Sequence, residues 1–557
     1  MNQELSNKKL IRVDEIHLKI EEPETVLPEK IATILGIPKS EIIDYEVIKR
    51  AVDSRDVKKV HFVYSVDVKL SDAEKFFLEI SLRDKATVVR YRVRLQLPYE
   101  HEIDKIFSNE KRPRPIIIGT GPGGMFAGLL LAKSGLNPIV VDQGKKVEER
   151  IKDVEEFFVT GVLNKNSNIQ FGEGGAGTFS DGKLNTSKDS PWKRFILEEF
   201  VEAGAPPEIL IEAQPHIGTD ELRKIIINIR QKIIDLGGEV RFETCLTDLE
   251  IRDGKLVAGI FNGNERIEAD ELVLAIGHSA RDTYKMLYEN KLDIKSKPFS
   301  MGVRIEHTAE MINRSRYGSF YKNPKLPTAR YQLVAHLKQN RSVYSFCMCP
   351  GGMVVAAATE EGRLVTNGMS ERAQDGQNSN SALLVNVFPK DYGSDHPLAG
   401  VEFQRHWEEK SYQAGGGNYK APAQLVGDFL AHRPSVERKN ASAGCKNIVP
   451  TYDRGVSMTT LDGCLPDYIL ASLREALPVF NQKIKGFMSP EALLIGTETR
   501  SSSPVKIMRD ANFESNIKGI YPAAEGSGYA GGIMSAGIDG LIVAEAVIKK
   551  RKEARNL

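Results

Sequence analysis

The sequence predicts an α/β protein: a Rossmann-like dinucleotide-binding domain of the glutathione-reductase type, with an inserted second domain and an N-terminal α+β module. Three observations lead to this fold class. Residues 115–142 have the pattern of a strand, a G-x-G-x-x-G turn, a small-residue helix and a second strand. Residues 1–108 show strand and helix signals in the order β-α-β-β-α-β. Residues 290–485 lack helix–strand alternation and hold many Gly, Pro and Asn residues.

The composition is that of a globular protein of 557 residues, long enough for two or three domains. Lys and Arg (76) nearly balance Asp and Glu (75), so no net positive field indicates nucleic acid or an anionic membrane. No apolar run is long enough to span a bilayer, and the N-terminus lacks the apolar core of a signal peptide. Five cysteines are an odd, low number, which favours a cytoplasmic location over a disulfide framework.

The N-terminal module, residues 1–108, is expected to be a ferredoxin-like sandwich. Its predicted elements are strands at Ile11–Ile20, Ile42–Ile48, His61–Val68 and Thr87–Leu97 and helices at Pro28–Leu35 and Asp72–Leu82. The dinucleotide-binding domain then comprises residues 109–289 and 486–557, and residues 290–485 form the inserted, substrate-facing domain.

Each glycine of the turn is required for a different structural reason. Gly119 permits the tight turn, Gly121 lets a pyrophosphate approach the backbone, and Gly124 lets helix and strand pack closely. The helix N-terminus offers free N–H groups to phosphate, and Asp142 has the spacing expected of a carboxylate that binds a ribose. The binding residues predicted from this unit are Gly119, Gly121, Gly123, Gly124, Asp142 and Gln143.

Two later segments resemble parts of flavoproteins with the glutathione-reductase-type FAD fold. Residues 519–544, GIYPAAEGSGYAGGIMSAGIDGLIVA, resemble the closing motif of that fold. This resemblance implies that Glu525 binds the ribityl chain and that Gly531, Gly532 and Ile533 lie at the pyrimidine edge of the flavin. Residues 272–278, LVLAIGH, resemble the strand that contacts the adenine half, which implies a role for Gly277; Ile276 stands where the more familiar form has Thr.

Longer segments resemble one bacterial family, the poorly characterised FAD-dependent dehydrogenases. They include GEGGAGTFSDGKL (172–184), PHIGTD (215–220), FSMGVRIEH (299–307) and SFCMCPGG (345–352). The resemblance covers nearly the whole chain and implies the fold and FAD, but no substrate. In the loop 172–184, a path along FAD is expected for Gly175, Thr178, Ser180 and Lys183. No His, Cys or Tyr in this loop stands out as a covalent attachment point, so non-covalent FAD is predicted.

The sequence has no second strand–G-x-G-x-x-G–helix unit for NAD(P)H and no C-x-x-C or C-x4-C pair shortly after the first unit. If NAD(P)H reduces this flavin, it must therefore bind transiently. No Cys or His spacing indicates a metal site.

Three residues are catalytic candidates: His278, Arg281 and Cys349. A His after a strand-end glycine could donate a proton, and it could equally cap the turn or bind phosphate. Cys347 and Cys349, two apart in a strand, should project to one face, either beside the flavin or as half-buried packing residues. A disulfide between them would be strained, so an obligatory redox pair is not expected.

The sequence thus predicts an FAD-dependent oxidoreductase that passes hydride between a small-molecule substrate and flavin N5. The alternative is a flavoprotein that uses its N-terminal module to hold a partner, RNA or protein. The module shows no basic excess or aromatic platform for RNA. The oligomeric state and the substrate are not assigned.

Overall fold

The structure is a computed structural model that describes residues 10–71, 89–92, 106–107, 111–338, 340–437 and 448–555. The chain divides into two compact units. The first comprises residues 1–100, 206–215 and 313–329, and the second comprises residues 101–205, 216–312 and 330–557. No helix of the described ranges combines the length and the apolar character needed to cross a membrane.

The described strands are β1 (Leu10–Lys19), β2 (Ile42–Asp53), β3 (His61–Leu70), β4 (Val89–Arg92), β5 (Ile116–Ile118), β6 (Ile139–Val141), β7 (Glu239–Arg241), β8 (Leu246–Arg252), β9 (Lys255–Phe261), β10 (Glu265–Glu268), β11 (Leu272–Leu274), β12 (Ile294–Ser296), β13 (Phe299–Thr308), β14 (Val334–His336), β15 (Ser342–Cys349), β16 (Met353–Ala356), β17 (Thr366–Met369), β18 (Asn378–Val387), β19 (Ala421–Leu425), β20 (Val456–Met458), β21 (Leu493–Glu498), β22 (Val505–Ile507) and β23 (Ile520–Pro522). The described α-helices are α1 (Leu27–Leu35), α2 (Pro122–Lys133), α3 (Val147–Thr160), α4 (Trp192–Glu202), α5 (Thr219–Asp235), α6 (Arg281–Glu289), α7 (Ala309–Tyr317), α8 (Ala399–Ala414), α9 (Val426–Leu430), α10 (Asp467–Lys483) and α11 (Ile533–Ala554).

The first unit contains an antiparallel four-stranded sheet in the order β2-β3-β1-β4. This is the strand order of a ferredoxin-like sheet, as the β-α-β-β-α-β pattern predicts. One face of α1 buries Leu27, Ile31 and Leu35 against the apolar residues of β1 and β3. The predicted helix Asp72–Leu82 lies outside the described residues.

The second unit contains a parallel five-stranded sheet in the order β23-β11-β5-β6-β7. Its strands are short and fully apolar at the centre, as expected for a sheet covered on both faces. Helices α2 and α11 pack so closely that a Cβ on Gly540 would lie only 2.0 Å from the carbonyl oxygen of Gly123. The Rossmann-like fold class is confirmed.

A seven-stranded sheet in the order β14-β15-β18-β13-β21-β19-β20 forms the inserted part of the second unit. Its central strand, β13, is buried along almost its whole length between β18 and β21. Because β21 pairs with β13 and β19, this sheet extends beyond residue 485, the predicted end of the inserted domain. Strand pairing between distant segments leaves no local signal, so the sequence could not place this boundary.

Candidate functional site

A cleft opens where the strands of the parallel sheet end. The residues just past β5, β6, β11 and β23 line it, as the carboxyl ends of parallel strands meet at one edge of a sheet. The empty volume of the cleft is about 1490 Å³, part of it open to solvent. This is the position at which open α/β sheets bind their ligands.

The three glycines of the turn differ in what surrounds them. A Cβ on Gly119, whose φ is +100°, would lie 2.3 Å from the carbonyl oxygen of Ala275. A Cβ on Gly124 would lie 1.9 Å from the carbonyl oxygen of Gly119. A Cβ on Gly121 would meet no protein atom nearer than Cα of Gly175, at 3.8 Å. Gly119 and Gly124 are thus required by packing, whereas Gly121 leaves open space in the cleft at the start of α2.

Asp142 directly follows β6 and is largely buried, at 7% exposure. Its Oδ2 accepts hydrogen bonds from the backbone N and the hydroxyl of Thr120, and its Oδ1 accepts one from the backbone N of Gly144 at 2.9 Å. A carboxylate has about four acceptor positions. Oδ1 therefore keeps one acceptor position for a ligand hydroxyl.

The loop 172–184 forms another wall of the cleft. Gly175 faces Gly121, and Ser180 and Lys183 line the same space. Lys183 Nζ lies 2.9 Å from Asp181 Oδ2, and this carboxylate keeps the pKa of Lys183 raised although burial opposes its charge. Thr178 is fully buried and its hydroxyl donates to the carbonyl of Glu173, so it faces away from the cleft.

The N-terminus of α11 also lines the cleft. Its N-cap is Gly532, with φ +76°, and Ile533 follows it; both line the cleft beside Glu525. A Cβ on Gly531 would lie 3.2 Å from Glu525 Oε1. Burial raises the pKa of Glu525 to about 7, against the nearby positive charge of Lys297.

Most of the predicted binding residues share this cleft. Those that line it are Gly119, Gly121, Gly123, Asp142, Gln143, Gly175, Ser180, Lys183, Gly277, His278, Glu525, Gly532 and Ile533. Those that do not line it are Gly124, Thr178, Arg281, Cys349 and Gly531.

His278 is the one predicted catalytic candidate that lines the cleft. Burial, followed by the positive charges of Arg500 and Arg281, lowers its pKa to about 3. The side chain is therefore neutral at physiological pH. Its role as a proton donor, a turn cap or a phosphate ligand stays a prediction. Its Nδ1 lies 3.0 Å from the hydroxyl of Ser279.

Arg281 was predicted as a catalytic residue, but it belongs to a buried ion-pair network behind the cleft. Its guanidinium contacts Glu408 at 2.7 and 2.9 Å. Arg500 contacts the same carboxylate at 2.8 and 2.9 Å, and Arg500, unlike Arg281, lines the cleft. Only the folded structure shows that Arg500 rather than Arg281 lines the cleft, because Arg281, Glu408 and Arg500 are far apart in the sequence.

Residues of the inserted domain also line the cleft. Cys347, which the sequence singled out, lies on β15, and three residues not predicted from sequence join it: Asn367 on β17, Glu498 at the end of β21 and Arg500 just after β21. Glu498 is 3% exposed and forms an ion pair with Arg304, with one contact at 2.5 Å and another at 3.2 Å. Burial raises the pKa of Glu498 to about 7, and Arg304 opposes this shift. No local motif marks Asn367, Glu498 or Arg500.

The cleft fits an extended dinucleotide on three observations. Gly121 leaves room beside the N-terminus of α2, where a diphosphate is stabilised. Asp142 keeps an acceptor position for a ribose hydroxyl. The N-terminus of α11 and Glu525 line the same cleft. Within the described ranges, no three His, Cys, Asp or Glu side chains come together as a metal site.

The sequence matches known families in two places. Residues 298–501 match the family model "FAD-dependent protein, C-terminal domain-like", and residues 10–69 match a domain of unknown function. An uncharacterized protein of Clostridium beijerinckii is 46% identical over 542 residues, which cover 97% of this chain and 99% of that protein. The chain belongs to this family of FAD-dependent proteins.

Solved structures similar to this chain include a dehydrogenase and an oxidase. The glycerol-3-phosphate dehydrogenase from Bacillus halodurans complexed with FAD is 12% identical, with a TM-score of 0.33, and the match covers 81% of this chain and 67% of that one. Iminodiacetate oxidase from Chelativorans sp. BNC1 is also 12% identical with a TM-score of 0.33, and the match covers 78% and 95% of the two chains. Similarity at this level does not identify a shared substrate or reaction.

Proposed function

We propose that this protein is a cytoplasmic FAD-dependent oxidoreductase that passes hydride between a small-molecule substrate and non-covalently bound FAD. One observation carries the proposal. A single cleft joins the dinucleotide-binding turn at Gly121 to two charged side chains at the end of β21, Glu498 on the strand and Arg500 two residues after it. FAD held at the Gly121 turn would thus leave space for a substrate beside Glu498 and Arg500.

Three parts of the cleft would bind FAD: the start of α2, Asp142, and Glu525 with the N-terminus of α11. The N–H groups at the start of α2 would hold the diphosphate, and Asp142 Oδ1 would accept from the ribose. Glu525 and the N-terminus of α11 would hold the flavin end. When bound, FAD supplies the two-electron redox chemistry that no side chain of this cleft can supply alone.

Glu498 is the residue best suited to move the substrate proton. A carboxyl group with a pKa of about 7 exchanges its proton readily at physiological pH. Arg304 fixes its orientation through two contacts. Arg500 adds a positive charge to the same wall, held in place by the buried Glu408. These features favour a polar substrate that loses or gains a proton as it is oxidised or reduced.

NAD(P)H is retained in this proposal only as a transient reductant. The described residues show one glycine turn between parallel strands, at 119–124, and no second unit of that kind. Anaerobic mixing with NADH or NADPH, compared with dithionite, measures whether either nucleotide bleaches the flavin. A reduction that needs millimolar nucleotide would agree with transient binding.

A substrate screen tests the main proposal. The purified holoprotein is mixed anaerobically with polar alcohols, amines and hydroxy acids while the flavin absorbance is followed. At least one class should bleach the flavin. Replacing Glu498 with Gln should then slow the bleaching by about 10²- to 10⁴-fold, the usual contribution of general acid–base catalysis. Glu289→Gln, on the exposed surface of α6, is the matched control and should leave the rate unchanged.

Two results would contradict the proposal. One is a holoprotein that dithionite reduces but that no substrate class reduces, and that returns no electrons to any organic acceptor. The other is a Glu498→Gln variant that keeps the wild-type rate with the substrate found.

A further inference from the structure

A buried network of charged side chains lies behind the part of the cleft that Arg500 lines. Arg281 and Arg500 are 5% and 4% exposed, and Glu408, which both of them contact, has no exposure. Nε and Nη2 of Arg500 contact the two carboxylate oxygens of Glu408, and Arg281 contacts the same two oxygens. Two buried cations thus share one fully buried carboxylate.

The second carboxylate of the network, Glu360, does not supply the missing charge. It pairs with Arg281 at 3.0 Å, but it also pairs with Arg363 at 2.6 Å and with Arg405 at 3.0 Å. The further carboxylates that meet Arg405 are at the surface, where water screens them. Within the described ranges, Arg500 pairs with no carboxylate other than the shared one. Because a buried cation is costly unless an anion compensates it, the buried part of the network has an excess of positive charge that is open to a ligand at Arg500.

The hydrogen bonds of Arg500 leave one donor open. A guanidinium group has five N–H donors. Nε and one N–H of Nη2 donate to Glu408, and Nη1 donates to the hydroxyls of Thr359 at 2.5 Å and Ser279 at 3.3 Å. The second N–H of Nη2 has no acceptor among the described residues. Burial and the charge of Arg281 lower the pKa of Arg500, against the effect of Glu408, as expected of a cation that is incompletely compensated.

Asn367 provides a second open donor. Its Oδ1 accepts hydrogen bonds from Arg304 Nη2 at 3.1 Å and from the backbone N of Gly368 at 2.8 Å. Because a guanidinium group only donates, the oxygen of the amide must face Arg304 and the NH2 group must face away from it. No group of the described chain accepts from this NH2 group, and Asn367 lines the cleft.

Glu498 connects the two donors. It lies two residues before Arg500, at the end of β21, and it shares Nη2 of Arg304 with Asn367, at distances of 3.2 and 3.1 Å. Asn367, Glu498 and Arg500 therefore form one patch of the cleft, which we call the donor patch. This patch offers two open N–H donors and an excess of positive charge beside a carboxyl group that can take a proton.

We propose that the donor patch binds the carboxylate of a small organic acid. Arg500 supplies the charge and one N–H donor, and Asn367 supplies the amide N–H donor. A carboxylate has one negative charge and two oxygens, which match one incompletely compensated cation and two donors. The further statement that this acid is the substrate rests on the proposed oxidoreductase function, whereas the binding of the acid does not.

Binding is measured on the oxidised holoprotein, so it needs no turnover. Propionate and benzoate, each compared with its neutral amide at constant ionic strength, are titrated into the millimolar range while the flavin absorbance and the thermal midpoint are recorded. We expect the acids to change the spectrum and raise the midpoint, and the amides to bind about tenfold more weakly or less, since they lack the charge. Acids that bind no more tightly than their amides would overturn the proposal.

The substitution Asn367→Asp tests the donor patch while it keeps an acceptor for Arg304. One oxygen of the new carboxylate takes the place of Oδ1, and the other replaces the NH2 group by a negative charge that repels the ligand. The affinity for propionate should fall by about 10- to 150-fold, the effect of losing one hydrogen bond to a charged group. An unchanged affinity would overturn the proposal.

Arg500→Lys and Arg405→Lys form a matched pair. Both arginines belong to the network, but Arg405 does not line the cleft. Arg500→Lys keeps the charge and loses the planar set of N–H groups, so it should weaken propionate binding by about tenfold or more and retain the affinity for FAD. Arg405→Lys should change neither affinity. If Arg500→Lys weakens FAD binding and leaves propionate binding unchanged, the missing anion is the FAD diphosphate and the proposal is wrong.

The substrate screen distinguishes failure of the donor patch from failure of the oxidoreductase function. If propionate binds as expected and no compound of the screen bleaches the flavin, the oxidoreductase function is wrong and the carboxylate site stands. If alcohols or amines without a carboxylate bleach the flavin as fast as hydroxy acids do, and propionate binds no better than its amide, the oxidoreductase function stands and the carboxylate site is wrong.

Discussion

The substitution Gly121→Ala separates cofactor binding from folding. In the free protein the new methyl group meets nothing closer than Cα of Gly175, at 3.8 Å. The backbone of Gly121 has φ −64° and ψ 174°, which alanine adopts without strain. The variant should therefore fold normally. It should even gain about 0.4–1 kcal/mol of stability without FAD, because alanine has less freedom than glycine in the unfolded chain.

The same methyl group occupies the space that the turn leaves for the diphosphate. If it removes one charge-assisted hydrogen bond from the phosphate, the loss is about 1.5–3 kcal/mol. That loss corresponds to an FAD affinity roughly 10- to 150-fold weaker. Gly124→Ala is the control that should disturb the fold itself, since its Cβ would lie 1.9 Å from the Gly119 carbonyl oxygen. The backbone must move there, so the apoprotein itself should lose about 1–3 kcal/mol.

The assay has two readings for each variant: the dissociation constant of FAD from fluorescence quenching, and the thermal midpoint of the apoprotein. Gly121→Ala should weaken FAD binding and keep or raise the apoprotein midpoint, whereas Gly124→Ala should lower the midpoint. Wild-type FAD affinity in Gly121→Ala would refute the assignment of this turn to the diphosphate. A lowered apoprotein midpoint in that variant would refute the steric argument.

Three further predictions concern the same unit. Glu408→Gln leaves Arg281 and Arg500 without their buried counter-charge and should lower stability at pH 7 by about 3–5 kcal/mol, measured by thermal unfolding. Because these cations depress the folded-state pKa of Glu408, its stabilisation is present above the ordinary Glu pKa and is lost as pH falls below it, so the difference between wild type and variant should shrink in acid. His278→Gln should leave the pH dependence of FAD binding between pH 5.5 and 8 unchanged, since the imidazole is neutral there; an inflection near 6.5 that disappears in the variant would contradict this. FAD should be released into the supernatant on acid precipitation, and yellow colour that stays with the protein pellet would show covalent attachment.

The Cys347 and Cys349 pair shows where local reasoning reaches its limit. From sequence, two residues on a regular strand lie parallel on one face. In the fold, the bulge at Cys347 turns that residue into the cleft and leaves Cys349 buried behind it. A bulge depends on how the partner strand pairs, and the partner, β18, begins about thirty residues later at Asn378. The sequence of β15 alone therefore cannot specify it.

The predicted catalytic residues show the same limit. Arg281 follows a strand-end glycine and histidine, which is a reasonable position for a catalytic side chain. Its guanidinium nevertheless forms a buried ion pair with Glu408, which lies on helix α8 more than a hundred residues away. Arg500 shares that carboxylate and is the arginine that reaches the cleft. Which of two arginines faces a ligand is decided by packing between distant segments.

The sequence by itself determined the Rossmann-like unit and the cofactor class, because those requirements are local. A tight turn, a close approach to phosphate and a helix N-terminus are all specified within residues 115–142, and the closing motif at 519–544 is equally compact. The tertiary structure alone decided which further residues line the cleft. Glu498 and Cys347 come from two strands of one sheet, and Lys183 comes from a loop of the other domain. The strand order brings these residues together once the chain has folded. Their burial in the folded protein then shifts their pKa values.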